Sequence, residues 1–237
     1  MNIGKIVKSD SHINYVCQIY GPLECDQQPD PADYAFGRFV RVAIRSEQPE
    51  EAGEDRRQAQ SLQFPANNHA ESQKYAVGVI YDTILVNPAF GSLGPRLSNE
   101  TQVELFSPDY ISEKAVIIYI MVLGMIEQRA NSTGKAEVLS VRHGVPLLAL
   151  ELGSVVETMT DDEVCVFHYF SDPESSRKGP YLHMGYLPHI IAQRSSLLPM
   201  VTLQIIDQLE RLFPQNLSLL SIVKRNFAWR LKVETTG

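Results

Sequence analysis

A chain of 237 residues can bury an apolar core without disulfides or a metal to staple it, and 44% hydrophobic with 21% charged residues excludes wholesale disorder. The formal charge of -7 argues against a general affinity for nucleic-acid phosphates. Cys17, Cys25 and Cys165 show no CxxC spacing and read as free thiols of a reducing, cytoplasmic setting.

The opening MNIGKIVKSDSH lacks the apolar segment of a secretory signal. The longest apolar run, Ala115 to Ile126, is about a dozen residues against the ~20 of a spanning helix, so no membrane span is expected. Ile3 to Val7 and Ile13 to Ile19 flank the turn-like Ser9-Asp10-Ser11 and should pair as antiparallel strands. Cys25 to Asp33, with Pro29 and Pro31, reads as a loop. A third strand is expected from about Tyr34 to Ile44, with Val40, Val42 and Ile44 alternating against Arg41 and Arg45.

From Ser46 to Ser72 the composition turns acidic and amide-rich, which reads as a flexible insertion at about 46–72 joining two strands. The strand that organises the domain is Tyr75 to Pro88, YAVGVIYDTILVNP. Ala89 to Asn99 reads as irregular structure. Ala115 to Leu123, AVIIYIMVL, is apolar on both faces and reads as a central buried strand, with Gly124 marking a bend.

Gln128 to Lys135 reads as a polar loop, and Val145 to Glu151 and Glu163 to His168 as two further short apolar segments. Thr158 to Glu163 between them has the look of a turn with acidic caps, and Ser171 to Pro180 that of a domain boundary. Beyond it the apolar period changes. Pro199 suits the start of a helix whose stripe is Val201, Ile205, Leu209 and Leu212. Phe213-Pro214 stops it, and Asn216 is the expected N-cap of a second helix with stripe Leu220, Val223, Phe227 and Leu231. The expected class is α+β: an antiparallel β-barrel over 1–170, then a helical region over 181–237.

The succession IGKIV, NYVCQI, PADYAFGRFVRV, a low-complexity insertion and YAVGVIYD resembles the order found in HAS-barrel domains. These small barrels are shared by HerA-type DNA translocases and the N-terminal regions of ATP synthase α and β subunits. The resemblance covers about Ile3 to Phe167. In the HerA family such a barrel precedes a P-loop motor and helps to assemble a hexameric ring. This chain departs there: the nearest string to GxxxxGKS/T, Asn131 to Ala136, lacks both the leading glycine and the Mg²⁺-binding hydroxyl. The resemblance therefore implies a barrel that docks on, oligomerises with or regulates a ring-forming ATPase without itself hydrolysing nucleotide.

No motif assigns a catalytic, cofactor-binding or metal-binding residue. His12, His69, His143, His168, His183 and His189 form neither HxH nor HExxH. Cys165 and His168 would fall on opposite faces of a strand. Gly91 to Gly94 and Gly153-Ser154 lack the nucleophile-elbow pattern, Asp161-Asp162-Glu163 lacks EF-hand spacing, and no GxGxxG opens a helix.

The C-terminal end is locally basic, with Arg211, Lys224, Arg225, Arg230 and Lys232 against Glu234. Phe227 and Trp229 lie among these charges, so Lys224, Arg225, Phe227, Trp229 and Arg230 are the candidate partner-binding residues of a docking helix for an acidic protein. The plainer alternative is a helix that packs Leu220, Val223 and Phe227 on its own barrel. The expected role is a non-catalytic interaction or assembly module, with a P-loop ATPase or a second copy as partner. Two competing expectations are an enzyme whose site gathers His143, His168 and His183, and a nucleic-acid accessory protein acting through Arg225 and Arg230.

Overall fold

The structure is a computed structural model that describes residues 1–21, 24–45, 72–86, 115–130, 136–169, 181–193 and 196–236; of 130, 136 and 230–236 it describes the backbone. Seven strands are found among these residues: β1 (Asn2–Ser9), β2 (Asn14–Ile19), β3 (Phe39–Ile44), β4 (Ser72–Val86), β5 (Ala115–Ala130), β6 (Ala136–His143) and β7 (Val155–Thr158). Every pairing is antiparallel. The order β1-β2-β5-β4-β3-β7 returns to β1 and closes a six-stranded barrel. Strand β6 lies outside that ring, on the far half of β5.

Alternation explains why β5 is apolar on both faces. Ile118, Ile120 and Val122 join Ile3, Ile6, Cys17, Val40, Val42 and Ile80 in the buried barrel interior. Met121, Leu123 and Ile126 belong to a second core outside the wall, where the helices pack. The successive side chains of a strand point to opposite faces, so one strand serves two cores.

The helices among the described residues are α1 (Asp161–His168), α2 (Leu187–Ala192), α3 (Leu198–Leu212) and, after a 3-10 turn at Pro214–Asn216, α4 (Leu217–Thr236). Pro199 lies in the first turn of α3, and Val201, Ile205 and Leu209 are buried against Phe39, Val77 and Val79 of the barrel wall. None of the described helices is long and apolar enough to cross a membrane.

Several expectations need correction. The third strand begins at Phe39 and not at Tyr34, because Gly37 (φ 83) turns the chain there and donates its N–H to Ile80 O at 2.8 Å. Glu163 to His168 is helix rather than a strand-like segment. Thr160 accepts from Glu163 N through its hydroxyl while the Glu163 carboxylate accepts from Thr160 N, a capping box that nucleates α1. Val145 to Leu150 is irregular, whereas β6 and β7 form where no strand was expected. Strand β5 runs through Gln128 to Ala130, taking the first part of the expected polar loop.

Asn216 precedes α4 as expected, but its Oδ1 is buried without a hydrogen-bond partner, so the side-chain cap is not made. The expected insertion before Ser72, the irregular segment 89–99, residues 131–135 and the boundary at 171–180 lie outside the described residues.

Gly124 marks the place where β5 exchanges partners, from β2 through Met121 to β6 from Gly124 onward. Leu123 is the extra residue of a bulge there, since Val77 faces Gly124 and Gly78 faces Val122. A Cβ on Gly124 would lie 2.3 Å from Arg142 O and 3.0 Å from Phe167 Cζ, so the crossing of β6 and α1 over this point requires glycine. Gly124→Ala is expected to destabilise the fold by about 1–3 kcal/mol in urea titration. Gly21→Ala, whose added Cβ meets only Glu24 Oε2, at 3.7 Å, among the described residues, should leave the midpoint unchanged.

Candidate functional site

Three of the dispersed histidines do converge. Strand β6 ends on His143, α1 ends on His168, and the segment 181–186 that follows brings in His183 and Tyr186. The His183 N–H donates to His168 O at 2.8 Å, which docks this segment beside α1. The His143 and His183 rings stack at 4.5 Å with 4° between planes, and the His143 and His168 rings lie edge to face at 5.9 Å. Phe39, Phe167 and Tyr186 complete an aromatic cage around His168.

Hydrogen bonding fixes the tautomers. A carbonyl only accepts, so His168 Nδ1–H donates to Val164 O at 2.8 Å. Its other nitrogen, Nε2, then accepts from the Tyr186 hydroxyl at 2.6 Å. His143 is the mirror case: Nε2–H donates to Phe167 O at 2.9 Å, and Nδ1 accepts from Gly185 N–H at 3.0 Å. Burial pushes His168 down to about 3 and His143 down to about 4, so both rings are neutral at pH 7. Burial likewise raises the Tyr186 phenol. All four imidazole nitrogens of this pair are committed to the protein's own groups. They fasten β6, α1 and the 181–186 segment together, and no group of three or more metal-ligating side chains occurs among the described residues.

The remaining histidines are apart. His12 Nε2–H donates to Pro146 O at 2.6 Å, and His189 Nε2–H ties α2 to Val122 O of β5 at 3.0 Å. His69 lies outside the described residues. The Cys165 reading changes with the secondary structure: on a helix, residues 165 and 168 share a face, but His168 turns inward to Tyr186. Burial, then Asp162 and Asp161, raises the Cys165 thiol, the opposite of an activated nucleophile. Cys17, sealed in the barrel, is pushed up to about 12 by burial.

The candidate partner-binding residues of α4 divide between two faces. Lys224 is engaged within the molecule, donating to Glu210 at 2.9 Å and ion-paired with Asp207, both on α3. Ser221 Oγ also donates to Glu210, at 3.1 Å. Phe227 turns inward, lining a groove of about 260 Å³ with Leu187, Ile191, Ile206 and Val223, and Leu220 is fully buried. Arg225 and Trp229 face solvent, Trp229 at 68% exposure. The Arg230 side chain lies outside the described residues.

Two residues that were not singled out share the outward face, Leu219 at 50% and Ile222 at 59% exposure. Their signal was present in the spacing 219, 222, 226, 229, a second apolar stripe interrupted by Asn226. It was hidden because the stripe Leu220, Val223, Phe227 already accounted for the helix.

The fold and these surfaces define a class, an antiparallel β-barrel carrying helices on its outer wall. Within that class the chain belongs to the family described as Domain of unknown function (DUF8166), which it matches over residues 1–53 and 45–236. No curated protein matches it.

Tyr186→Phe should cost about 1–3 kcal/mol, since it leaves His168 Nε2 buried without a donor. Folded pKa values below the ordinary 6.5 mean that the unfolded chain takes up protons first as pH falls. The stabilisation is therefore complete above pH 6.5 and is lost on acidification toward about 4 for His143 and about 3 for His168. Urea midpoints measured between pH 7 and 5, above most carboxylate titration, should fall less steeply in His143→Gln than in the parent chain.

Proposed function

We propose that the protein is a non-catalytic interaction or assembly module of the cytoplasm, whose barrel holds α4 as a docking helix for an acidic, amphipathic segment of a protein partner. The observation that carries this reading is the outward stripe of Leu219, Ile222 and Trp229 on a helix whose opposite face is already fixed by Leu220 and Lys224. Large apolar side chains left in water along one helix face are the mark of an interaction surface. A helix laid against such a stripe at three- and four-residue spacing is a recurrent recognition mode.

Charge selects the occupant. Arg225 is exposed beside the stripe and makes no ion pair among the described residues. Residues 230 and 232 next along the helix are also basic in sequence. Two copies laid stripe to stripe would bring like charges together, whereas an acidic partner relieves them. A homo-oligomer through this face is therefore the less favoured arrangement. The HAS-barrel resemblance supplies the partner class, a ring-forming P-loop ATPase. An enzymatic role for the histidines gains no support from rings that are neutral and doubly hydrogen-bonded.

Affinity capture from the native host should recover a stoichiometric protein with an acidic helical segment, and raising the salt should weaken its retention. Trp229→Ala is expected to weaken binding about thirtyfold or more, as for a buried aromatic anchor, and Ile222→Asp to abolish it. Both substitutions should keep the parent melting temperature. Leu220→Ala should behave oppositely, costing about 2–5 kcal/mol of stability through the core. A partner retained equally by Ile222→Asp and Trp229→Ala would sink this reading.

A further inference from the structure

A second surface, with no lining residue on α4, points to a small-molecule site. The turn 32–38 before β3, the outer face of α3 and the start of α1 enclose an open cavity of about 410 Å³. Its polar wall consists of Arg38, Asp161, Gln204, Gln208 and Arg211. The size lies in the ordinary range for small-molecule sites, and a few convergent polar groups are what such sites use to orient a ligand.

The two arginines of this wall contrast with Arg41 nearby. Arg41, on the adjoining strand, is fully paired with Glu157 at 2.8 Å and with Glu163. Arg38 and Arg211 form no ion pair among the described residues, although Asp161 stands on the same wall. The Nε of Arg38 is buried with no hydrogen-bond partner.

The cavity is also held in shape before any ligand arrives. Gly37, at φ 83, approaches α3 so closely that a Cβ there would lie 2.5 Å from Gln204 Cγ. Its N–H is bonded to Ile80 O at 2.8 Å and the Ile80 N–H to Arg38 O at 3.0 Å, so the turn is tied to the barrel by hydrogen bonds on one side while Gly37 packs closely on α3 at the other. Gln204, Gln208 and Arg211, at i, i+4 and i+7, present one face of α3 to it.

We propose that this cavity binds a small organic oxyanion, a phosphate or carboxylate held by Arg38 and Arg211, with a neighbouring hydroxyl or amine donating to Asp161. Guanidinium groups suit this task because their planar forks donate paired hydrogen bonds to such oxygens. Gln204 and Gln208 add amide donors along the same wall.

The test is calorimetry and thermal-shift titration of the full chain at constant ionic strength, with inorganic phosphate, glucose 6-phosphate and succinate as probes. Saturable binding of at least one is expected. Phosphate-containing probes alone would identify the group as phosphate, and succinate alone as carboxylate. Arg38→Gln and Arg211→Gln should each weaken binding by about tenfold or more, the loss typical of a charge-assisted hydrogen bond. Arg45→Gln, an exposed arginine outside the cavity, should not. Arg211 is exposed on α3, so Arg211→Gln and Arg211→Glu carry the test even if Arg38→Gln impairs folding. Failure of all three probes to bind at tens of millimolar, or binding indifferent to the Arg211 variants, would overturn the proposal.

Discussion

The whole arrangement depends on one wall with two greasy sides. A strand that packs on a barrel interior with one set of side chains normally meets water with the other, but β5 and the facing part of β4 meet the helices instead. Ala76 and Ile80 look inward while Val77 and Val79 look outward. The barrel and the helical region are thus joined by apolar contact along this wall, where Phe39 packs with Ile205 and Leu209. Removing the helices would leave Val77, Val79, Met121 and Leu123 without their cover.

The polar groups that sit over this wall are spent on holding it. His143 and His168 bring the ends of β6 and α1 to the 181–186 segment, and His189 anchors α2 to the backbone of β5. Both nitrogens of His143 and of His168 find a partner of the right sense, with one phenol, one amide and two carbonyls between them. Of the three histidines named from the sequence, His143 and His168 thereby act as a joint between these elements. The surfaces proposed above for recognition, the outward stripe of α4 and the arginine-lined cavity on the outer face of α3, lie away from this joint.

Legibility of the fold followed the strength of the periodic signal. Strand β5 was evident because AVIIYIMVL has no polar face, and α3 because four apolar residues follow Pro199 at helical spacing. Strand β7 was missed because VVET is only four residues long and runs straight into an acidic helix start. Helix α1 was missed for a related reason: VCVFH is as apolar as a buried strand, and only the Thr160 and Glu163 pairing distinguishes the two. The candidate site was half legible. Arg225 and Trp229 face outward, while Lys224 and Phe227 are used within the molecule, a division that depends on where α3 lies rather than on anything in α4 itself.

One thiol offers a clock. Cys17 sits wholly inside the closed sheet, out of reach of an alkylating reagent, and burial there disfavours its thiolate. Cys25 and Cys165, both partly accessible, carry no such seal. The rate at which a reagent captures the third cysteine therefore counts the moments when the ring of strands springs apart, giving a readout of opening built into the molecule.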